Sequence, residues 1–317
     1  MKTLFLFAAL SLSAVASRAQ LPTGPLVVAA DGSGQFRTVQ AAIDAAPSQA
    51  SKPVIIQLRP GTYHEKVTVP AQKTHLVLRG ADAASTVITC NDHVGQPGIT
   101  TPGSASVLVQ ATDFTAENVT FENAAGYTAG QAVALNVEGD RAIFRRCRLL
   151  GNQDVLLLAT AGSRQYYQNC YIEGTTDFIF GASIGVFDHC VIKSKKNSFI
   201  TAASTPAGQA YGFVFLDCEL TADTTLAQRV YLGRPWRPHA QVVYLRCKLG
   251  RHIAPAGWDN WKNTENEKTA YFAEYKSTGP GAGDAARVPW GRQLAPKEAK
   301  KYALKQIFGG PEAWAPK

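Results

Sequence analysis

The most regular hydrophobic pattern along the chain is a short block that recurs six times. Each block opens with apolar or β-prone residues, continues with Cys or Asn, and closes with another apolar residue. The blocks occupy residues 114–121, 142–149, 166–172, 186–192, 213–220 and 242–249. From Cys147 to Cys247, the cysteines of successive blocks are 23, 20, 28 and 29 residues apart. A repeat of this length, made of strand segments, is typical of the coils of a parallel β-helix.

The segments outside the repeats favour the same architecture. A sandwich or antiparallel barrel would more often contain tight Asn-Gly or Asp-Gly hairpins, and none lies between these blocks. Residues 38–46 predict an amphipathic helix that would cover the open N-terminal edge of the coils. A second helix is predicted over residues 296–308, with Gly309 after its end. We therefore expect an all-β fold: a single-stranded parallel β-helix with an N-terminal capping helix and a short C-terminal helix.

Five of the six cysteines occupy the repeated position, which predicts a stacked interior column. Equivalent Cα atoms in adjacent coils lie roughly 4.8 Å apart, which is within the range for a disulfide. Cys170 and Cys190 are the closest pair in sequence and the candidate disulfide; free buried thiols are the equally open alternative. No CxxC or HxxxH spacing occurs, so no metal site is predicted.

The first twenty residues have the composition of a secretory signal. A short basic start at 1–3 precedes an uncharged apolar stretch at 4–16, and residues 17–19 fit a small-x-small cleavage site. Thirteen apolar residues are too few to span a bilayer. We expect cleavage near Ala19, export to the periplasm or outside the cell without a membrane anchor, and one β-helix domain over residues 20–317.

Composition and charge restrict the class of protein and the kind of binding partner. The chain has 317 residues, 45% of them hydrophobic and 18% charged, which is globular rather than collagen-like or low-complexity. A formal charge of +8 favours an anionic partner, although a solvated basic surface would explain it equally well.

Two aspartates recur in step with the cysteines. Asp154 lies seven residues after Cys147, and Asp177 lies seven residues after Cys170. If adjacent coils are in register, the two carboxyl groups stack one strand spacing apart. Two carboxyls that close do not both ionise cheaply, so one pKa falls and the other rises. Such a pair can supply an acid and a nucleophile at one pH; a structural pair, or two diverging side chains, is the alternative.

Polar side chains around these aspartates suit ester chemistry. The amides of Gln131 and Gln153 can donate hydrogen bonds to a developing oxyanion. On the segment 232–236, which we interpret as a loop, Arg234 can hold a carboxylate through two hydrogen bonds, and Trp236 can stack on a sugar. Taken singly, each residue has a structural explanation: a surface amide, a surface ion pair or a half-buried aromatic.

Together these motifs resemble those of the pectin methylesterase (pectinesterase) family of carbohydrate esterases. The similar segments are residues 61–65, 131–135, 153–154, 177–181, 232–236, 271–275 and 277–282. The resemblance runs from about Val28 to Trp314. It implies a right-handed parallel β-helix that hydrolyses methyl esters of homogalacturonan without a metal or organic cofactor. The implied partner is an anionic polysaccharide, methylated pectin, and not nucleic acid; a monomer is the default for a capped solenoid.

The resemblance also implies a role for each site residue. Asp177 would be the nucleophile, and Asp154 would be first the general acid and then the general base. Gln131 and Gln153 would hold the oxyanion, and Arg234 would keep Asp177 ionised. The implied substrate contacts are Thr100, Gln131, Phe180, Tyr231, Arg234, Trp236 and Trp261.

Two positions depart from the family pattern. Leu157 and Pro102 stand where the family often has aromatic groove residues. Because fewer aromatic rings would stack on the sugar faces, we expect weaker binding of the polymer.

Two other classes of function stay open on the sequence alone. A glycosidase or lyase could use the same scaffold, and a retaining glycosidase needs carboxyls about 5–5.5 Å apart. A non-catalytic glycan-binding or envelope protein could also have kept the fold.

Overall fold

Successive strands along the chain do not pair with each other; each pairs with the equivalent strand of the next coil. The computed structural model describes residues 24–283 and 286–316, and every named strand pair in it is parallel. The strands form three stacked sheets of 11, 8 and 7 strands, which we call sheets A, B and C. This is the parallel β-helix that the repeat predicts.

Each coil contributes one strand to each sheet over most of the length. Sheet A comprises Leu26–Val28, Val54–Leu58, Leu76–Gly80, Thr115–Glu117, Ala142–Arg145, Arg164–Gln168, Ile184–Asp188, Phe213–Leu216, Gln241–Leu245, Tyr271–Tyr275 and Arg292–Gln293. Sheet B comprises Gly61–His64, Thr86–Cys90, Thr120–Asn123, Arg148–Leu150, Tyr171–Gly174, Val191–Ser194, Glu219–Ala222 and Lys248–Leu249. Sheet C comprises Val67–Val69, Val107–Val109, Leu135–Val137, Leu156–Leu158, Ile179–Gly181, Phe199–Ala203 and Tyr231–Pro235.

The repeated block is the corner where a coil passes from sheet A to sheet B. The residue before each cysteine has a left-handed backbone, with φ between 50° and 55°, at Arg146, Asn169, His189, Asp217 and Arg246. One left-handed residue turns the chain sharply without a longer loop. The side chain after it is thereby directed into the interior, where the cysteines are buried.

The cysteines form the predicted interior column, but the disulfide predicted between Cys170 and Cys190 is not formed, and both are free thiols. The Cys170 thiol donates to the backbone carbonyl of Phe144 at 3.4 Å, and the Cys190 thiol donates to that of Tyr167 at 3.3 Å. Each thiol is thus directed at the backbone of the preceding coil. Parallel side chains at strand spacing keep their sulfurs apart unless one rotates out of this arrangement.

A column of stacked rings fills the interior beside the thiols. Neighbouring ring centroids lie 4.8, 4.8, 4.5 and 4.3 Å apart in the series Phe144, Tyr167, Phe187, Phe215 and Tyr244. These separations match the spacing of strands in a sheet. The column therefore favours the same in-register stacking as the backbone hydrogen bonds.

The predicted N-terminal helix is present at Val39–Ala45. Thr38 accepts a hydrogen bond from the backbone of Ala41, as expected of an N-cap residue. Val39, Ala42 and Ile43 are buried against the first coils, so the helix closes the end of the hydrophobic interior.

The prediction of a single C-terminal helix over residues 296–308 is wrong in detail. The segment contains two short α-helices, Pro296–Ala299 and Leu304–Ile307, separated by a 3₁₀ turn at Lys300–Tyr302. Tyr302 and Ile307 would point about 140° apart on one continuous α-helix. The extended backbone of Ala303 (ψ 142°) breaks the helix, and both residues pack on the outer apolar face of sheet A.

The remaining helical segments are short: the α-helix Glu265–Thr269 and the 3₁₀ helix Pro102–Ser104. The signal predicted at residues 1–19 lies outside the described residues and stays a prediction, as does the domain boundary at residue 20. Among the helices of the described residues, none combines the length and hydrophobicity needed to cross a bilayer.

Phe308 provides a test of the C-terminal covering segment. Its ring is buried against Tyr166 and Trp314, with centroids 6.4 and 4.7 Å away. We expect Phe308→Ala to lower the free energy of unfolding by roughly 3–5 kcal/mol, because it leaves a cavity over sheet A. Denaturant unfolding measures this, with Leu226→Ala at an exposed position as the control. Equal midpoints for the two variants would contradict the described packing.

Candidate active site

The two aspartates occupy equivalent positions at the start of adjacent strands of sheet C. Asp154 precedes Leu156 by two residues, Asp177 precedes Ile179 by two, and Leu156 pairs directly with Ile179. Both aspartates have a left-handed backbone, with φ of 64° and 50°. The structure therefore places the two residues side by side in successive coils.

Asp177 is held by a bidentate ion pair with Arg234. Arg234 Nε donates to Oδ1 of Asp177 at 3.0 Å, and Nη2 donates to Oδ2 at 2.6 Å. Burial raises the pKa of Asp177, while the hydrogen bonds and charge of Arg234 counter the rise. Arg234 thus supports the ionised form of a carboxylate that is only 6% exposed.

Asp154 has the opposite electrostatic environment. Burial, and then the charge of Asp177, raise the pKa of Asp154 to about 7. Gln131 Nε2 donates to Oδ2 of Asp154 at 2.8 Å, which opposes the rise only in part. At neutral pH the pair can therefore hold one protonated and one ionised carboxyl group.

The two glutamines lie on neighbouring coils, joined by a parallel bridge between Gln131 and Gln153. Thr101 Oγ1 donates to Oε1 of Gln131 at 3.0 Å and so orients its amide. Within the described residues, the half-buried Gln153 side chain has no hydrogen-bond partner. Sequence reasoning missed Thr101, although it directly follows the predicted contact Thr100.

Arg234 is flanked by two aromatic rings. Its Cζ lies 3.9 Å from the ring centroid of Phe199 and 3.6 Å from that of Trp261. The segment that we interpreted as a loop is the strand Tyr231–Pro235, which fixes Arg234 on the outer face of sheet C. Sequence reasoning missed Phe199, because nothing in its local motif distinguishes it from a core phenylalanine.

The other predicted substrate contacts differ in their exposure and in the residues that they contact. Trp236 is 36% exposed, and its ring centroid lies 6.0 Å from that of Phe180. The ring of Tyr231 stacks on Phe199 at 5.4 Å. Thr100 is exposed in the loop before Pro102, and its Oγ1 accepts a hydrogen bond from the Gly103 backbone rather than from a catalytic candidate.

The outer face of sheet C beside the carboxyl pair is apolar. Its small cluster comprises Ala105, Val133, Leu157, Phe180 and Ala202, with Trp261 packed against it. Leu157 lies between Asn136 and Phe180 across the strands. At the position where an aromatic groove residue was expected, the surface therefore carries the aliphatic side chain of Leu157, which is 5% exposed.

Among the described residues, one cluster has the ligand types of a metal site: Asp188, His189 and Asp217. It lies at the corner between sheets A and B and not at sheet C. Arg246 already forms a bidentate ion pair with Asp217, and the Tyr166 hydroxyl donates to Asp188. These carboxylates are engaged within the protein, so the cluster fits structural ion pairing better than metal binding.

Comparisons with known proteins find relatives that match most of the chain. The chain is 42% identical to Pectinesterase 31 of Arabidopsis thaliana over 295 residues, covering 90% of this chain and 92% of the relative. It is 38% identical over 302 residues to Probable pectinesterase/pectinesterase inhibitor 64 of Arabidopsis thaliana, covering 89% of this chain and 50% of that protein. The chain thus spans about half the length of such longer relatives.

Solved structures show the same fold. Pectin methylesterase from carrot superposes with a TM-score of 0.86 at 36% identity, covering 90% of this chain and 93% of that one. A pectin methylesterase in complex with hexasaccharide VII superposes with a TM-score of 0.79 at 30% identity, covering 92% and 98%. Both solved structures share the right-handed parallel β-helix with this chain.

A match to one family completes the comparison. The Pectinesterase family model aligns with residues 25–311, which include every coil and all of the residues around the two aspartates. The chain therefore belongs to the pectinesterase family.

Proposed function

We propose that this protein hydrolyses the methyl esters of galacturonate units in pectin, with Asp177 as nucleophile and Asp154 as acid and base. The observation that carries the proposal is the in-register carboxyl pair, one member ion-paired with Arg234 and the other with a pKa raised to about 7. Family membership and the relative solved with a bound hexasaccharide support a methylated polysaccharide as the substrate.

In the first half-reaction, a carboxylate oxygen of Asp177 attacks the C6 carbonyl carbon of the substrate. The carbonyl oxygen becomes an oxyanion, and the amide N–H groups of Gln131 and Gln153 donate to it. Gln131 can donate to the oxyanion and to Asp154 at once, because an amide nitrogen carries two protons. The protonated Asp154 gives its proton to the leaving methoxide, so methanol departs and an acyl-Asp177 intermediate remains.

In the second half-reaction, Asp154 is ionised and takes a proton from water. The resulting hydroxide adds to the acyl carbon, the same amides stabilise the oxyanion, and the bond to Asp177 breaks. The products are a galacturonic acid carboxyl group, which then loses its proton to the solvent, Asp177 as carboxylate and Asp154 as acid, so the cycle closes without a cofactor. Arg234 keeps Asp177 a good leaving group in this step, since it stabilises the carboxylate that is released.

We also propose that the enzyme acts as an exported monomer. The composition of residues 1–19 supports cleavage after Ala19. Cleavage there removes Lys2 and Arg18 and leaves a formal charge of +6, which suits an anionic polymer. N-terminal sequencing of the exported protein should find Gln20 first, and an uncleaved Met1 would contradict the export proposal.

Two product measurements separate esterase activity from the alternatives. An esterase releases methanol and creates no new reducing ends, whereas a glycosidase creates reducing ends. A lyase creates unsaturated products that absorb in the ultraviolet, and a binding protein creates no product. If the protein released no methanol from pectin but hydrolysed another uronate ester, the assignment of pectin as substrate would be wrong, while the proposed ester-hydrolysis mechanism would still hold.

Removing either carboxylate should abolish most methanol release. We expect Asp177→Asn to lower kcat at least about a thousandfold, because it removes the nucleophile, and Asp154→Asn to lower it about 10²–10⁴-fold through loss of acid–base catalysis. Methanol release from highly methylated pectin measures both. Asp223→Asn, at an exposed turn, is the control and should retain activity. Substantial turnover by Asp177→Asn would contradict the assigned nucleophile.

The pH dependence should be bell-shaped, with unequal causes for its two limbs. Activity should rise as Asp177 ionises, at a pH above the ordinary Asp range because burial raises its pKa. It should fall as Asp154 loses its proton near pH 7. The profile of kcat/KM measures both, and the residual activity of Asp154→Asn should lack the alkaline limb. Retention of that limb in the variant would assign it to another group.

Restoring an aromatic ring to the groove should strengthen substrate binding. We expect Leu157→Tyr to lower KM for methylated pectin about two- to tenfold, because ring stacking contributes about 0.5–1.5 kcal/mol, while kcat changes little. Leu150→Tyr on sheet B is the matched control. An unchanged KM would show that Leu157 does not face bound polymer.

A further inference from the structure

The column of residues that carries the two aspartates continues into the next coil at Phe199. Ile179 pairs with Thr201, so the position of Asp177, two residues earlier, aligns with Phe199. Phe199 in turn pairs with Tyr231 on the following strand. An aromatic ring thus occupies, one coil further along, the position that the carboxyl groups occupy in the two preceding coils.

The Phe199 ring covers one face of the Arg234 guanidinium. The Arg234 Cζ lies 3.9 Å from this ring and 3.6 Å from that of Trp261. Two rings this close cannot share one side of a planar group, so the guanidinium lies between them. Only its edge is left for hydrogen bonds, and that edge donates Nε and Nη2 to Asp177.

Phe199 contacts the same ion pair through its backbone. Its carbonyl accepts a hydrogen bond from the backbone N–H of Asp177 at 2.9 Å. That hydrogen bond holds the left-handed turn at Asp177, while the ring holds its partner Arg234. One residue therefore fixes both members of the pair relative to each other.

The surrounding contacts keep the Phe199 ring and its counterpart in place. The ring of Tyr231, on the following strand, stacks on that of Phe199, and the two ring centroids are 5.4 Å apart. On the opposite face of the Arg234 guanidinium, Trp261 has a left-handed backbone (φ 60°), and its backbone N–H donates to the Asp259 carboxylate at 2.8 Å. A residue other than glycine holds such a conformation when its surroundings require it.

We infer that Phe199 is a positioning residue for the esterase reaction: its ring holds Arg234 flat and in plane with the Asp177 carboxylate, so that the nucleophile stays ionised and aimed. The inference rests on the proposed function for the identity of the nucleophile. An arginine stacked on aromatic rings loses fewer orientations when it forms a bidentate pair. It is also shielded from water on its faces, which strengthens the electrostatic interaction with Asp177.

The charged groups around Asp177 make this role measurable. They are Arg234, Asp154 in the adjacent coil and Asp259 below Trp261. Of these, only Arg234 lowers the pKa of Asp177. If Arg234 becomes mobile, burial and the negative charge of Asp259 act with less opposition, and Asp177 should titrate at higher pH.

The test compares Phe199→Met, which keeps apolar volume without a ring face, with Phe199→Trp, which keeps the face. We expect Phe199→Met to lower kcat about tenfold with little change in KM for methylated pectin. The acid limb of kcat/KM should move to higher pH. Phe199→Trp should retain both properties. Tyr211→Met, a ring lost under the C-terminal segment, is the control and should behave as wild type.

A second measurement does not depend on turnover. Carbon-13 NMR of the Asp177 carboxyl group should give a higher titration midpoint in Phe199→Met than in wild type or Phe199→Trp. If the Asp177 midpoint is higher in Phe199→Met than in wild type but wild type releases no methanol, the proposed function fails and the positioning role of Phe199 stands. Should Phe199→Met not fold, as judged by its unfolding transition, Phe199→Leu carries the same expectations.

Other outcomes would overturn the inference. A raised KM with an unchanged pH profile would make Phe199 a sugar contact rather than a positioning residue. An unchanged Asp177 titration in a folded Phe199→Met protein would show that Arg234 does not need the ring.

Discussion

The parallel register between coils is the constraint on which the site depends. Leu156 pairs with Ile179, and Ile179 pairs with Thr201. Residues two positions earlier, Asp154, Asp177 and Phe199, are therefore stacked by backbone hydrogen bonding alone. The sheet spacing of about 4.8 Å sets how closely two carboxyl groups lie before any side-chain interaction is considered. A slip of one residue in either coil would turn these side chains away from each other.

The burial of Asp154 and its proximity to Asp177, which suit the chemistry, work against stability. Asp154 has a higher pKa in the folded protein than the ordinary value of 3.8, so the native state binds its proton more tightly than the unfolded chain does. The contribution of Asp154 to the free energy of unfolding consequently decreases as the pH rises from about 4 to about 7. The stacked rings and thiols of the buried interior contribute the same stabilisation throughout this pH range, because their packing does not depend on protonation.

The sequence was informative where a property repeats and uninformative where it occurs once. The periodic cysteines predicted the coils, and two aspartates at a fixed distance from them predicted neighbouring carboxyl groups. Phe199 could not be found in this way, because its role depends on Arg234, which lies 35 residues further along the chain. The break at Ala303 was hidden for a related reason: the requirement that Tyr302 and Ile307 reach one apolar face comes from sheet A and not from the local sequence. The cysteines are free thiols, the alternative that the sequence left open, because Cα spacing alone does not determine where the sulfur atoms point.

The location of the carboxyl pair along the solenoid has a consequence for how activity is lost. Their strands, Leu156–Leu158 and Ile179–Gly181, are the fourth and fifth of the seven in sheet C, counted from the N-terminal end. In a one-dimensional stack, each coil is held mainly by its two neighbours, so the terminal coils open first and the central coils last. Arg234, in contrast, lies on Tyr231–Pro235, the last of the seven strands, so opening of the C-terminal coils would release its guanidinium from Asp177 while the two carboxyl groups stay stacked. Under partial unfolding from the C-terminal end, the ion pair of Asp177 with Arg234 would therefore be lost before the stacking of the two aspartates.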